Sequence, residues 1–138
     1  MKNTIFAFVL LLNGLLIQAQ TSTPSENFDA NAPAFKFVEE VIDYGKIEQN
    51  ADGNREFVFT NTGGSPLIIT NVKGSCGCTV PTKPEEPVMP GEKGTIKVKY
   101  ATNRIGRFSK TVTITSNASE PKKVVRIKGE VLDPKKQG

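Results

Sequence analysis

Alternation of apolar and polar residues with a period of two recurs along most of this chain. In the stretch TIKVKY, Ile96, Val98 and Tyr100 alternate with threonine and lysine, and in VVRIKGEV the apolar Val125 and Ile127 alternate with charged residues. FVFTN and KTVTITS repeat the pattern. Such alternation is typical of half-buried antiparallel strands. Outside the N-terminal stretch no segment shows a 3.6-residue apolar period, so the sequence predicts an all-β chain.

Turn residues separate these predicted strands. NTGG at 61–64 supplies adjacent glycines, MPGE at 89–92 supplies Pro-Gly, and NASEP at 117–121 forms a polar corner. PLIITNV at 66–72 is continuously apolar at its start, which favours a strand buried on both faces. About seven short strands separated by such turns predict an immunoglobulin-like antiparallel β-sandwich.

The N-terminus differs from the rest of the chain. Residues 1–19 carry Lys2 and then an apolar run, which is typical of a secretory signal peptide, and a polar linker is predicted at 20–34. The sandwich domain is expected over 35–133 and a disordered tail over 134–138. Cleavage would remove one of the 18 basic residues and leave 17 against 14 acidic ones. An exported protein with this mild excess is not expected to bind nucleic acid or to keep a membrane span.

The chain contains no histidine. This excludes Ser–His and Cys–His nucleophile pairs and most zinc and copper sites. The acidic pairs Glu39–Glu40 and Glu85–Glu86 are adjacent in sequence, so in a strand their side chains would point to opposite faces. We therefore predict no catalytic residues, no enzyme activity and no cofactor.

The motifs, in their order along the chain, resemble those of the bacterial family called domain of unknown function 1573. They are IDYGKI at 42–47, FTNTGGSPLIITNV at 59–72, SCGCTVP at 75–81, MPGEKGTIKVKY at 89–100, GRFSKTVTITSN at 106–117 and RIKGEV at 126–131. The resemblance implies an immunoglobulin-like sandwich in an exported bacterial protein. It implies no enzyme activity.

Cys76 and Cys78 are the only cysteines and are separated by Gly77. Cα atoms two residues apart in an extended strand are about 6.5 Å apart, close to the upper limit for a disulfide, and Gly77 could bend the backbone to bring them closer. Four interpretations stay open: a structural bridge or pair of thiols, a redox-active pair, a soft-metal site for Cu(I) assisted only by Met89, and a mixed disulfide with a partner. The first is preferred.

A proline-rich loop is predicted to follow the cysteines, at residues 79–90. Pro81, Pro84, Pro87 and Pro90 stiffen it, so it is either a partner surface or a device that prevents edge pairing. Basic residues also concentrate in the C-terminal half and would form a patch only if neighbouring strands presented them on one face. An ordinary solvated face is the preferred interpretation. The residues are Lys97, Lys99, Arg104, Arg107, Lys110, Lys122, Lys123, Arg126 and Lys128.

These observations predict a non-enzymatic binding or structural module in the periplasm, or secreted, or on the cell envelope of a bacterium. Its expected partner is another envelope protein, bound through a sheet edge or through the loop at 79–90. The alternative is a thiol-redox or Cu(I)-handling protein that uses Cys76 and Cys78.

Overall fold

A computed structural model describes residues 29–138, and the predicted signal peptide lies outside this part of the chain together with most of the linker. Eight strands and one short 3-10 helix make up the described fold. They are β1 (Phe35–Phe37), β2 (Val41–Glu48), β3 (Asn54–Asn61), β4 (Ile69–Gly74), β5 (Thr79–Thr82), β6 (Lys93–Tyr100), β7 (Gly106–Ser116), β8 (Lys122–Leu132) and η1 (Pro134–Lys136).

The strands form two four-stranded sheets that pack face to face. The first sheet has the order β1-β3-β6-β5 and the second has the order β2-β8-β7-β4. The chain changes sheet at every connection from β1 to β5 and again between β6 and β7. The edges of the two sheets therefore lie together in pairs, β1 with β2 on one side of the sandwich and β4 with β5 on the other. The predicted immunoglobulin-like sandwich is confirmed.

One strand pair departs from the antiparallel prediction. β2 runs parallel to β8, whereas the other five pairings are antiparallel. The register of β2 shifts between Asp43 and Lys46, where Gly45 adopts a φ of 66° and donates its N–H to the Asp43 carboxylate at 2.8 Å. The chain crosses from the first sheet to the second between β1 and β2, and β2 then lies beside β8 with both strands running in the same direction.

Alternating side chains from both sheets fill the core, as predicted. Phe57, Phe59 and Ile96 from the first sheet are fully buried, and so are Ile114 and Ile127 from the second. Burial of each such side chain contributes about 1.5–3 kcal/mol. Phe35, Phe37 and Phe59 also form an aromatic cluster at the β1 edge, with ring centroids 5.0–5.6 Å apart.

Two sequence predictions need correction. The segment 66–72 is not buried on both faces: Leu67 and Ile69 are buried while Ile68 and Thr70 are exposed, because each sheet of a two-layer sandwich has one face toward the core and one toward solvent. The segment 79–90 is not a continuous loop, since its first four residues form β5. At the C-terminus, where a disordered tail is expected, Pro134–Lys136 form a 3-10 turn whose first N–H groups are capped by Asp133.

Candidate functional site on the β4–β5 side

Residues 75–78 connect β4 to β5 and are held by hydrogen bonds to both sheets. Ser75 donates its N–H to the Thr111 carbonyl on β7 at 2.9 Å, and the Ser75 hydroxyl accepts from the Thr111 N–H at 3.2 Å. Ala101, just after β6, donates to the Cys78 carbonyl at 2.9 Å. This double attachment fixes the cysteine connection at the rim of the sandwich. We call the surface formed by β4, β5 and residues 75–78 the β4–β5 side.

In the structure Cys76 and Cys78 are joined as a disulfide, and their Cα atoms are 5.2 Å apart. Gly77 does not have a positive φ, so the short Cα separation does not depend on a left-handed backbone at this residue. The two sulfurs differ in accessibility: Cys78 is 5% exposed, whereas Cys76 is only half-buried.

A buried hydroxyl lies beside both sulfurs. Thr79 Oγ1 is 3.8 Å from Cys76 Sγ and 3.9 Å from Cys78 Sγ, and Thr79 is 2% exposed. Thr79 pairs with Tyr100 on β6, whose ring stacks on Phe108 with centroids 3.8 Å apart. Burial raises the pKa of Tyr100, while the charge of Arg104 opposes that rise.

The structure provides little support for a metal site at the cysteines. Their sulfurs are bonded to each other, so neither is a thiolate that could bind Cu(I). Met89 is the other sulfur ligand that the sequence suggested. It directly follows Val88, which pairs with Leu67 and not with the cysteine connection. Within residues 29–138 no group of three or more His, Cys, Asp or Glu side chains is placed to hold a metal ion.

The four prolines of the predicted loop are divided between two structural settings. Pro81 is half-buried in β5 and lies opposite Val98, and Pro84 is half-buried just beyond that strand. Pro87 and Pro90 are exposed on either side of Val88, which forms a two-hydrogen-bond bridge with Leu67. Pro81 thus limits pairing at the β5 edge, whereas Pro87 and Pro90 flank a second connection between the sheets.

Three exposed apolar side chains accompany these elements, and sequence reasoning missed them as a set. Ile68 is 45% exposed, Val80 58% and Met89 47%. Ile68 and Met89 each follow a residue of the Leu67–Val88 bridge, so they are diagonal neighbours across it, a position that typically places them about 7–8 Å apart. The exposure of these side chains depends on which face of each segment meets solvent, and the sequence carried no local signal for it.

The opposite side of the sandwich is protected against strand addition. β1 has only three residues, and β2 carries the bulge at Gly45 together with exposed Asp43, Lys46 and Glu48. Short strands, bulges and charges are devices that block edge-to-edge pairing. β4 also has a shift in register, between Ile69 and Asn71, but it then pairs with β7 regularly from Asn71 to Gly74, and Lys73 is its only charged residue. The β4 edge therefore carries fewer charges than the β2 edge.

The basic residues do not form a single face. Lys97 and Lys99 belong to β6 in the first sheet, while β7 and β8 in the second sheet carry the others, apart from Arg104 in a turn. Several are paired: Arg107 with Glu130 at 3.7 Å, Lys123 with Glu40 at 2.8 Å and Lys128 with Asp43 at 3.6 Å. The Lys123–Glu40 hydrogen bond raises the pKa of Lys123. Among residues 29–138 these basic side chains are thus divided between the two sheets, and three of them are paired with carboxylates.

Solved structures similar to this one are PapD-like and immunoglobulin-like β-sandwiches. A protein of unknown function from Porphyromonas gingivalis W83 is 13% identical, with a TM-score of 0.65, over 78% of this chain and 51% of that chain. The CsuC–CsuE chaperone–tip adhesion subunit complex of Acinetobacter baumannii is 14% identical, with a TM-score of 0.55, over 72% of this chain and 52% of that chain. PapD-like domain 7 of human CEP192 is 10% identical, with a TM-score of 0.53, over 91% of this chain and 99% of that chain. This chain spans about half the length of the first two. At sequence identities this low, the structural similarity establishes a shared fold and nothing more.

The family is established by sequence. The chain belongs to the family described as protein of unknown function DUF1573, whose model matches residues 35–131. This confirms the resemblance drawn from the motifs. No curated protein matches the sequence. In residues 29–138 no helix has the length and apolar character needed to cross a membrane.

Proposed function

We propose that this protein is an exported, non-enzymatic binding module that takes an extended segment of another envelope protein on its β4–β5 side. The observation that carries the proposal is the free β4 edge, whose only charged residue is Lys73, with exposed Ile68 and Met89 near its start. An extended segment can add to such an edge as a further strand. Main-chain hydrogen bonds then supply affinity, and alternate side chains supply specificity.

The chemistry of the β4–β5 side favours a partner segment with apolar side chains at alternating positions. Thr70 and Asn71 on β4 are exposed and uncharged, so they do not repel an incoming backbone. Ile68 and Met89 offer apolar contact area at one end of the edge, and Val80 offers it on β5. Pro81 restricts addition at β5 itself. The partner strand is therefore expected beside β4.

Export is supported by the N-terminal signal pattern and by a disulfide, which persists in oxidising compartments. The CsuC–CsuE complex, by its name, joins a chaperone of the same fold to an adhesion subunit. That protein thus uses a PapD-like sandwich in a protein–protein complex. Neither a cofactor nor a nucleic acid has a role in the proposal.

Site-specific photo-crosslinking in the bacterial envelope tests the proposal. A photoreactive residue placed at Asn71 is expected to give an adduct, whereas one at Lys46 on the β2 edge is the matched control and should give none. Ile68→Asp combined with Met89→Asp should abolish the Asn71 adduct while changing the stability of the fold by no more than about 0.5 kcal/mol per exposed site. An adduct from Lys46 alone, or an Asn71 adduct insensitive to the double substitution, would disprove the assignment.

A further inference from the structure

The disulfide between Cys76 and Cys78 contributes little to the stability of the fold through loop closure. It joins residues that are only two positions apart, so it closes a ring of three residues. The entropic gain grows with loop length and reaches about 3 kcal/mol only near 15 residues. The connection is also already held to both sheets by the hydrogen bonds of Ser75 and Cys78. Stability alone therefore gives a weak reason for a bridge here.

The two cysteines are unequally exposed, which gives the bridge a direction. Cys76 is half-buried at the rim, whereas Cys78 is 5% exposed and belongs to the core cluster. Exchange proceeds by attack of a thiolate on one sulfur of the bridge, and access decides which sulfur is attacked. An incoming thiolate reaches Cys76 Sγ and displaces Cys78.

Gly77 leaves open space between the two cysteines. The φ of Gly77 is not positive, so its backbone conformation does not require glycine. A Cβ added there would have no heavy atom within 4 Å beyond its chain neighbours, so crowding does not require glycine either. Glycine without an internal reason often marks close approach of another backbone. The space over Gly77 suits a partner chain that delivers a thiol to Cys76.

Thr79 is placed to assist the sulfur that leaves. Its hydroxyl lies 3.9 Å from Cys78 Sγ and 3.8 Å from Cys76 Sγ inside the protein. A hydroxyl that donates a hydrogen bond to a thiolate stabilises the charged form in which the sulfur leaves. The Cα separation of 5.2 Å, fixed by the backbone hydrogen bonds, also keeps the reduced thiols within bonding range.

We propose that Cys76 and Cys78 form a thiol–disulfide exchange site whose substrate is a dithiol on a partner protein. The partner thiolate attacks Cys76 Sγ, the Cys76–Cys78 bond breaks, and Cys78 leaves as a thiolate. The second thiolate of the partner then attacks the partner sulfur that is bonded to Cys76, and Cys76 leaves as a thiolate. The partner loses two electrons and two protons and gains a disulfide. Cys76 and Cys78 take up these two electrons and two protons and become thiols. This inference goes beyond binding on the β4 edge and does not depend on it.

Glutathione serves as the probe of direction. The single-cysteine variants Cys78→Ala and Cys76→Ala are treated with oxidised glutathione, and the rate of glutathionylation is followed by intact mass. Cys76, alone in the first variant, is expected to react at least about tenfold faster than the buried Cys78 in the second. Equal rates, or faster reaction of Cys78, would overturn the proposal. Circular dichroism melting verifies that each variant is folded.

The natural pair gives a second measurement if either variant fails to fold. The oxidised wild-type protein is mixed with excess reduced glutathione, quenched with acid at early times and digested. Glutathione attached to Cys76 supports the proposal, whereas attachment to Cys78, or a bridge that stays oxidised for hours in the folded protein, contradicts it. Gly77→Val is expected to slow this reaction at least about threefold with unchanged melting, because its side chain fills the approach path. Thr79→Val should slow it as well, and an unchanged rate in both variants would remove the roles given to Gly77 and Thr79.

Discussion

The phenol of Tyr44 on β2 donates a 2.8 Å hydrogen bond to the carbonyl oxygen of Gly53, nine residues later in the chain. Tyr44 is buried, and the guanidinium of Arg55 lies 4.2 Å from the centre of its ring. Burial raises the pKa of Tyr44 to about 12, against an opposing effect of the Arg55 charge. The bulged β2 edge is thereby tied to the loop that leads into β3.

This contact predicts loss of stability at alkaline pH. The folded pKa of Tyr44 lies above its ordinary value of 10, so the contribution of the neutral phenol is complete below pH 10 and is lost as pH rises from 10 to 12. Two pKa units correspond to about 2–3 kcal/mol. Urea unfolding across this range should show a steeper decline for the wild type than for Tyr44→Phe, which cannot ionise. Parallel declines would contradict the assignment.

Tyr44→Phe should also cost stability at neutral pH, by about 1 kcal/mol, because one buried hydrogen bond is lost. The cost stays modest because the Gly53 carbonyl still accepts from the Tyr100 N–H at 3.1 Å. Absorbance titration of the phenols provides an independent measurement. The protein has two tyrosines, and both folded pKa values are raised. Two phenols that ionise near pH 10 while the protein is still folded would disprove the effect of burial.

Asn61, at the end of β3, is predicted to be the most costly polar residue to replace. It is fully buried, and its amide donates to the carbonyls of Ser65 and Val88 at 2.8 and 2.9 Å while its oxygen accepts from the N–H groups of Gly63 and Ala34. Asn61→Ala would leave several of these groups without partners, which should cost about 3 kcal/mol in the free energy of unfolding.

Asn117→Ala is the matched control for Asn61→Ala. Asn117 also holds backbone groups of the β3–β4 connection, at Ile68 and Pro66, but it is exposed, so water can replace its hydrogen bonds. Chemical denaturation of both variants should give a loss of about 1 kcal/mol or less for Asn117→Ala. Losses of equal size would show that burial is not the deciding factor.

The period-two pattern predicted the sandwich because burial depends on local alternation. β3, β6 and β8 were recognised from residues such as Phe57, Ile96 and Ile127, which are fully buried. The parallel pairing of β2 with β8 was not recognised, since it depends on the chain switching sheets after β1 and on the bulge at Gly45. No local pattern reports which sheet a strand joins.

The candidate site was predictable only in part. The cysteine pair and the prolines attract notice in any reading of the sequence, yet β5 was hidden because Pro81 argues locally against a strand. The unequal exposure of Cys76 and Cys78, and the position of Thr79 beside both sulfurs, arise from packing between the two sheets. Ile68 was assigned to the core, whereas its exposure depends on the outer face of the second sheet being open to solvent, which is a property of the two-layer topology.

Gly94 on β6 is predicted to be intolerant of any side chain. A Cβ there would lie 2.5 Å from Phe59 Cζ and 2.8 Å from Val88 Cγ2, both in the core. Gly94→Ala should therefore destabilise the fold by about 1–3 kcal/mol through overpacking. Gly77→Ala is the control, since its Cβ meets open space and should change stability by no more than about 0.5 kcal/mol. Thermal melts of the two variants with similar midpoints would contradict this account.

Reduction of the Cys76–Cys78 bridge is predicted to leave the fold intact. The ring has three residues, so loop closure contributes only about 1.5 kcal/mol on the chain-entropy model. The core residues and the hydrogen bonds of residues 75–78 stay in place. Urea unfolding with and without a strong reductant should shift the free energy of unfolding by about that amount while leaving the slope with denaturant unchanged. A collapse of the native signal on reduction would mean that the bridge holds the two sheets together, which the anchoring of Ser75 to Thr111 and of Cys78 to Ala101 argues against.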